Sequence, residues 1–333
     1  MAAGASQRIL PSTTPARVFQ DHQDSISAVA VFPDRRRMVT GSLDKTLRLW
    51  DLENGIVLKK MDGHRSGVCA VAVSPDGQFI ASGDNKGGLI AWDRDGESLT
   101  EPIEAHSDAI SSLDFSPDNE ALASAGSISD KSTKMWSTET WKLEGNPIYS
   151  LNDVYCARYS PSGEHLVVST TFGAMVWDPV TGYAIAGFSG ETGYKFLTAL
   201  AWTPDGGRLL SGGSDSDHAI REWNTSTWTQ VGDPWSGHTK SINAIAVSPD
   251  GTLVASASAD KHVRLWLLSD RRTIAMFKHS KQVNCVTFSQ DGKCILSGGD
   301  DMKISEWAVP EDALPAGAHR DDVRASVYAS SPC

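Results

Sequence analysis

Cysteine pairs, excess positive charge and long apolar runs are all missing from this sequence. Its 333 residues hold five cysteines, at 69, 156, 285, 294 and 333, an odd number with no C-x-x-C pair. That argues against a disulfide framework or a zinc knuckle. Four of the five sit in apolar runs such as VCAVAV and QVNCVTF, where cysteine behaves as a small core residue in a reducing compartment. Lysine and arginine number 30 against 41 aspartates and glutamates, for a net charge of −11. A general nucleic-acid or anionic-membrane binder needs the opposite field. The basic runs Arg35-Arg36-Arg37 and Arg271-Arg272 are short and read as solvated turns. No apolar run approaches a membrane span. MAAGASQRILPSTTP has no signal-peptide core, and neither Ala2 nor the terminal SSPC fits a lipidation motif. Helical periodicity is absent throughout. The expectation is a cytoplasmic or nuclear protein, not secreted, with no membrane or nucleic-acid partner.

What is present is a repeat. Seven tryptophans, Trp50, Trp92, Trp136, Trp177, Trp223, Trp266 and Trp307, recur at spacings of 42, 44, 41, 46, 43 and 41. A proline precedes six of them at a near-constant distance: Pro33, Pro75, Pro117, Pro161, Pro204 and Pro249. Gln290 takes its place in the seventh repeat. A histidine lies eleven residues earlier in five repeats: His22, His64, His106, His238 and His279. Each repeat divides into short strand-like runs separated by turn residues. In residues 241–277, SINAIAVS, TLVASAS, HVRLW and TIAMF are four such runs, the first two joined by PDG.

Four strands in about 43 residues, closed by Trp and often Asp, is the pattern of one repeat class. Over residues 16–308 the chain resembles the WD-repeat (WD40) β-propeller family. The resemblance implies an all-β fold of seven four-stranded blades around a channel. It also implies a closure, in which ARVFQ (16–20) pairs with the last repeat, 283–308, and supplies its missing fourth strand. Residues 1–15 and 309–333 fall outside the repeat and read as a flexible leader and a mobile tail, with a short helix over DDVRASVY as the alternative. Linkers such as WKLEGNPI, WTQVGDPW and GESLTEPIEAH are weakly similar to those of fungal WD-repeat proteins.

His238, Ser256 and Asp260 have the composition of a hydrolytic triad. The family pattern instead joins them with a tryptophan in a buried hydrogen-bond chain. Full sets occur four times: His22, Thr40, Asp44, Trp50; His106, Ser124, Asp130, Trp136; His238, Ser256, Asp260, Trp266; and His279, Ser297, Asp301, Trp307. A catalytic nucleophile is needed once, in a cleft, so four copies point to structure. No G-x-S-x-G, P-loop or HExxH motif accompanies them. No cofactor, metal or catalytic residue is expected.

The repeats also break their own rule. Repeat two has Lys86 where the Asp is expected, repeat four has Ser150 and Thr171 in the His and Asp places, and repeat five has Gly193 for His. Repeats three and five also insert two residues into the turn between strands two and three, giving SAGSISD and SGGSDSD, and by the family's geometry the irregularities gather on one face of blades three to five, here called the top. Tyr155, Phe172, Tyr194, Lys195 and Phe196 gather there too. They read either as a partner-binding patch or as rings filling space left by missing histidines. Asp24, Arg65, Asp108, Asp153, Lys240 and Lys281 would ring the channel, and their mixed signs suit a protein or peptide. The expected function is a non-catalytic interaction scaffold, monomeric within a complex. The alternatives are a substrate-recognition subunit of a ubiquitin ligase or other complex, although the adaptor-binding Trp-Asp-x-Arg box is absent, and a propeller enzyme.

Overall fold

The sequence's turn chemistry sets the strands. In SPDG (248–251) the Ser248 hydroxyl donates to Asp250 Oδ1 at 2.5 Å, and its oxygen accepts from the Leu253 N–H at 2.9 Å. Gly251 turns the chain at φ +72°, a region costly for any residue with a Cβ. The result is a tight hairpin between Ile242–Val247 and Leu253–Ser258. The same polar lock recurs at Ser74 with Asp76, Thr203 with Asp205 and Ser289 with Asp291.

A computed structural model describes residues 11–189, 197–214 and 216–313. Among these, seven four-stranded antiparallel sheets form the seven blades of a propeller. Blade one runs from its inner strand, Ile26–Val31, through Arg37–Ser42 and Thr46–Asp51 to its outer strand, Ile56–Asp62. Every inner strand packs against the inner strands of both neighbouring blades, so the ring is continuous. The approach is close: a Cβ on Gly41 would lie 2.7 Å from Val68 in the next blade, and one on Gly83 2.6 Å from Ile110. Glycine there lets the second strand meet its neighbour's inner strand.

The seventh blade is built from both ends of the chain. Arg17–Phe19 pairs with Ile304–Ala308 in the register Arg17–Glu306, Val18–Ser305, Phe19–Ile304. The Arg17 Nε–H donates to Glu306 Oε2 at 3.0 Å across that pair. Phe19 is buried between blades seven and one with Trp50, Leu296 and Ile304, its ring edge-on to Trp50 at 5.7 Å. Ordered contacts reach back before residue 16. The Ser12 N–H donates to Met276 O and its carbonyl accepts from the Lys278 N–H, at 2.8 and 2.9 Å. The leader therefore touches blade six at Ser12, where the sequence suggested a flexible segment. At the other end Val309 and Ala313 pack on the last blades' core, and Glu311–Ala313 form a single 3-10 turn. The tail beyond, including DDVRASVY, lies outside the described residues.

Candidate functional site

The polar sets assemble inside the blades. In blade six the Trp266 indole N–H donates to Ser256 Oγ at 2.8 Å. The Ser256 hydroxyl lies 2.7 Å from His238 Nε2, and His238 Nδ1 lies 2.8 Å from Asp260 Oδ2. The only consistent proton order runs in one direction. Indole N–H gives to hydroxyl, hydroxyl to Nε2, and Nδ1–H to carboxylate, which leaves the imidazole neutral. Burial pushes the His238 pKa down against the opposing pull of Asp260. Burial would raise the Asp260 carboxyl, yet hydrogen bonds from His238, Thr239 and His262 hold it at about 2. Ser256 is wholly buried and its oxygen is already engaged, so this serine cannot reach a substrate. Blades one, three and seven repeat the arrangement with His22–Thr40–Trp50 and Asp44, His106–Ser124–Trp136 and Asp130, and His279–Ser297–Trp307 and Asp301. The last is the loosest, with His279 Nδ1 3.3 Å from Asp301.

Just ahead of the inner strands, Asp24, Arg65, Lys240 and Lys281 are exposed, and Asp108 and Asp153 are half-buried. Asp108 accepts backbone N–H bonds from Ala109 and Ser129, which hold its pKa low. Below the mouth, a cavity of about 160 Å³ is lined by all seven inner strands. Each inner strand has a register shift at one residue: Ser27, Cys69, Ser111, Tyr155, Thr198, Asn243 and Asn284. Such a bulge re-aims a side chain, and these side chains face the channel. Several bridge to the next blade. Ser27 Oγ donates to Val68 O at 2.5 Å, Asn243 Nδ2 to Val283 O at 2.8 Å and Asn284 Nδ2 to Ile26 O at 3.1 Å. Arg158 of blade four lines this cavity, and Asp114 of blade three accepts from the Tyr159 N–H at 2.8 Å. Burial pushes the Asp114 carboxyl up to about 6 against the attraction of Arg158.

Comparison with known proteins decides the family. The profile described as WD domain, G-beta repeat matches residues 13–51, 55–93, 96–137, 182–224, 229–266 and 271–307. The chain belongs to the WD40 repeat family. It is 28% identical over 155 residues to WD repeat-containing protein SL1-17 of Schistosoma mansoni, covering 45% of this chain and 48% of that one. It is 29% identical over 156 residues to Pre-mRNA-processing factor 19 homolog 2 of Arabidopsis thaliana, covering 45% and 28%. It is 35% identical over 92 residues to Anaphase-promoting complex subunit cdh1 of Dictyostelium discoideum, covering 28% and 12%. The matched stretch thus spans less than half the length of each of these relatives.

One of the WD40 repeats departs from the sequence reading. Blade two has a complete clamp. Asp84, two residues before Lys86, accepts from His64 Nδ1 at 3.0 Å, while His64 Nε2 meets Ser82 at 2.7 Å and Trp92 donates to Ser82 at 2.8 Å. Lys86 contributes only its backbone N–H, which donates to Asp84 Oδ1. The carboxylate fits because Gly88 stands where blade one has Thr46; a Cβ on Gly88 would lie 2.7 Å from Asp84 Oδ2.

Blade four has no clamp at all, and no repeat of the WD40 profile covers 138–181. Register explains it. Trp50 pairs with Met38, two residues before the clamp hydroxyl of Thr40. Trp177 pairs with Leu166, which puts Val168 in the hydroxyl's place and Ser169 one residue out of register. The Trp177 N–H consequently has no hydrogen-bond partner among the described residues, and neither do Ser150 Oγ and Thr171 Oγ1. In blade five Trp223 still donates to Ser211, at 2.9 Å.

The aromatic candidates do not share one surface. Tyr155 is half-buried in the channel, turned inward by its bulge. Phe172 is 44% exposed and lines a separate cavity on the flank. Tyr194, Lys195 and Phe196, with Gly193, lie outside the described residues.

Proposed function

We propose that this chain is a non-catalytic platform that holds protein or peptide partners on its top face, around the channel mouth. One observation carries the reading. The groups with the composition of a catalytic triad are buried and engaged in holding the blades, whereas the residues leading into the inner strands are accessible and carry both signs. From blade to blade the set runs Asp24, Arg65, Asp108, Asp153, Lys240 and Lys281, with both signs present. A polyanion would be repelled by the acids, while a protein surface can match both signs. Tyr155 below the mouth and Phe172 outside it add apolar contact. A place in a multiprotein assembly is supported by the name of one relative, a subunit of the anaphase-promoting complex. A cytoplasmic or nuclear setting is supported by the free cysteines, and no helix among the described residues is long and apolar enough to cross a membrane.

The test is affinity purification with quantitative mass spectrometry, comparing the wild type with the Asp24→Lys, Lys240→Glu double variant. Both residues are exposed, so the fold should survive. Partners that depend on the mouth should drop out together. Retention of every partner by a variant with an unchanged melting curve would overturn the top-face reading.

A further inference from the structure

Blade four's missing clamp leaves a mark on the outside of the molecule. Six blade tryptophans are buried and donate to a clamp hydroxyl; Trp177 is half-exposed and donates to none. It forms the shared wall of two cavities on the flank between blades three and four. The lower, about 730 Å³, runs between the outer strand of blade three (Leu143–Tyr149) and the turn Pro179–Tyr183. The upper, about 470 Å³, continues past Trp177 and Tyr149 to Leu151 and Phe172.

Why the groove is open can be read from the backbone. The outer strand of blade three pairs as Thr133–Ile148 and then Met135–Glu144, so its register shifts across Gly145-Asn146-Pro147. Gly145 has φ +63°, and Pro147 has no N–H to give the ladder. The bulged residues Gly145, Asn146 and Pro147 line the lower cavity together with Trp177. The apolar side chains around it are unusually bare for a soluble surface: Leu151 is 96% exposed, Val180 92% and Tyr183 76%. An exposed apolar patch of this kind marks an interaction site. The charge around the lower cavity has one sign. Asp118, Glu120 and Glu144 line it, with no lysine or arginine among the lining residues. Asp118 is occupied by the Ser116 hydroxyl and the Glu120 N–H, whereas Glu120 and Glu144 are exposed.

We propose that this flank is a docking groove for an extended segment of a partner protein, one that lays an apolar side chain against Trp177 and Val180 and presents a lysine or arginine to Glu120 and Glu144. Charge complementarity selects the occupant. An acidic or neutral apolar segment would gain the burial but leave the two carboxylates unmatched, and a basic one pairs them while its aliphatic stem covers the tyrosines. The contacts proposed here, Trp177, Val180, Glu120 and Glu144, include none of the residues on which the top-face reading rests, so the proposal stands or falls separately from it.

The experiment uses a phage-displayed library of random linear peptides panned against the full chain. The expected enrichment is for peptides that place Arg or Lys beside Leu, Phe or Trp. Their binding should weaken about tenfold or more on the Glu120→Lys, Glu144→Lys double variant, and with added salt. It should also weaken on Val180→Asp, and remain unchanged on the Asp24→Lys, Lys240→Glu variant of the mouth. All of these substitutions are at half-buried or exposed positions, and matched melting curves establish that the variants are folded. No enrichment, enrichment of acidic or uncharged peptides, or binding that survives both groove variants would overturn the proposal.

Discussion

Blade six and blade four have the same four strands, the same order and a tryptophan at the same register, yet hold that tryptophan by different means. In blade six Trp266 is locked through Ser256 and His238 to Asp260. In blade four Val168 occupies the hydroxyl's place, and Trp177 is held by packing against a buried apolar cluster shared by blades three and four. The backbone ladder is nevertheless complete in both. Strand pairing and apolar packing therefore suffice to form a blade. The clamp adds stability and ties the top loop to the third strand; without it, the outer surface of the blade is released for other contacts.

The comparison can be broken most severely by opening the ring that both blades depend on. Deleting residues 1–20 removes Phe19 and the fourth strand of blade seven. The cost should be about 3–5 kcal/mol or more, read as a large drop in the urea midpoint. An unchanged midpoint would contradict closure by this strand.

Next comes the matched pair Ser256→Ala and Ser169→Ala. The first strands the Trp266 N–H and the His238 Nε2 in a buried site and should cost about 1–3 kcal/mol. The second removes a hydroxyl whose hydrogen bond, to Cys156 O at 3.4 Å, is long, and should cost about 1 kcal/mol or less. Equal costs would mean that the clamp contributes nothing special.

Acid should separate the clamped blades as well. His22, His106 and His238 have pKa values lowered in the fold by burial. The unfolded chain therefore takes up protons first, and their contribution, complete above the ordinary histidine value of about 6.5, declines as pH falls below it. Asp44 and Asp260 have folded values of about 2 and lose their contribution at lower pH still, between about 4 and 2. Asp114, raised to about 6, works in the opposite sense and favours the fold as pH falls through 6. Urea midpoints measured from pH 8 to 4 should decline, and the decline should be shallower in His238→Gln. A decline of the same depth in His238→Gln would show that the clamp histidine is not held neutral.

The smallest effect sharpens the contrast from the other side. Val168→Thr places a hydroxyl where blade four lacks one and should be neutral or stabilise by about 1 kcal/mol, while the mirror change Thr40→Val destabilises blade one. A loss in both would show that Trp177 is not positioned to donate.

The tryptophan and proline spacings were enough to read seven blades and the joining of the chain's ends. What escaped them were contacts that depend on reach rather than on position. Spacing assigned the carboxylate of blade two to residue 86, but Asp84 reaches His64 once Gly88 clears the way; that glycine, in a place held elsewhere by Thr46, Ser132 or His262, was the available signal. In blade four a shortened turn hid the fact that Ser169 stands beside the clamp position and Val168 in it. The family's geometry groups Tyr155 and Phe172 on one face, whereas the bulge at Tyr155 turns it into the channel and Phe172 lines a different cavity.

The pairing of Arg17–Phe19 with Ile304–Ala308 also constrains how the protein is made. The first strand leaves the ribosome long before its partner exists, and it must wait, unpaired and apolar, until almost all of the repeat array has been synthesised. Contacts this distant in sequence form late and slowly. During that interval the two unclosed blade faces are open to wrong partners. A cell making this protein would be expected to shield those faces until the last strand arrives.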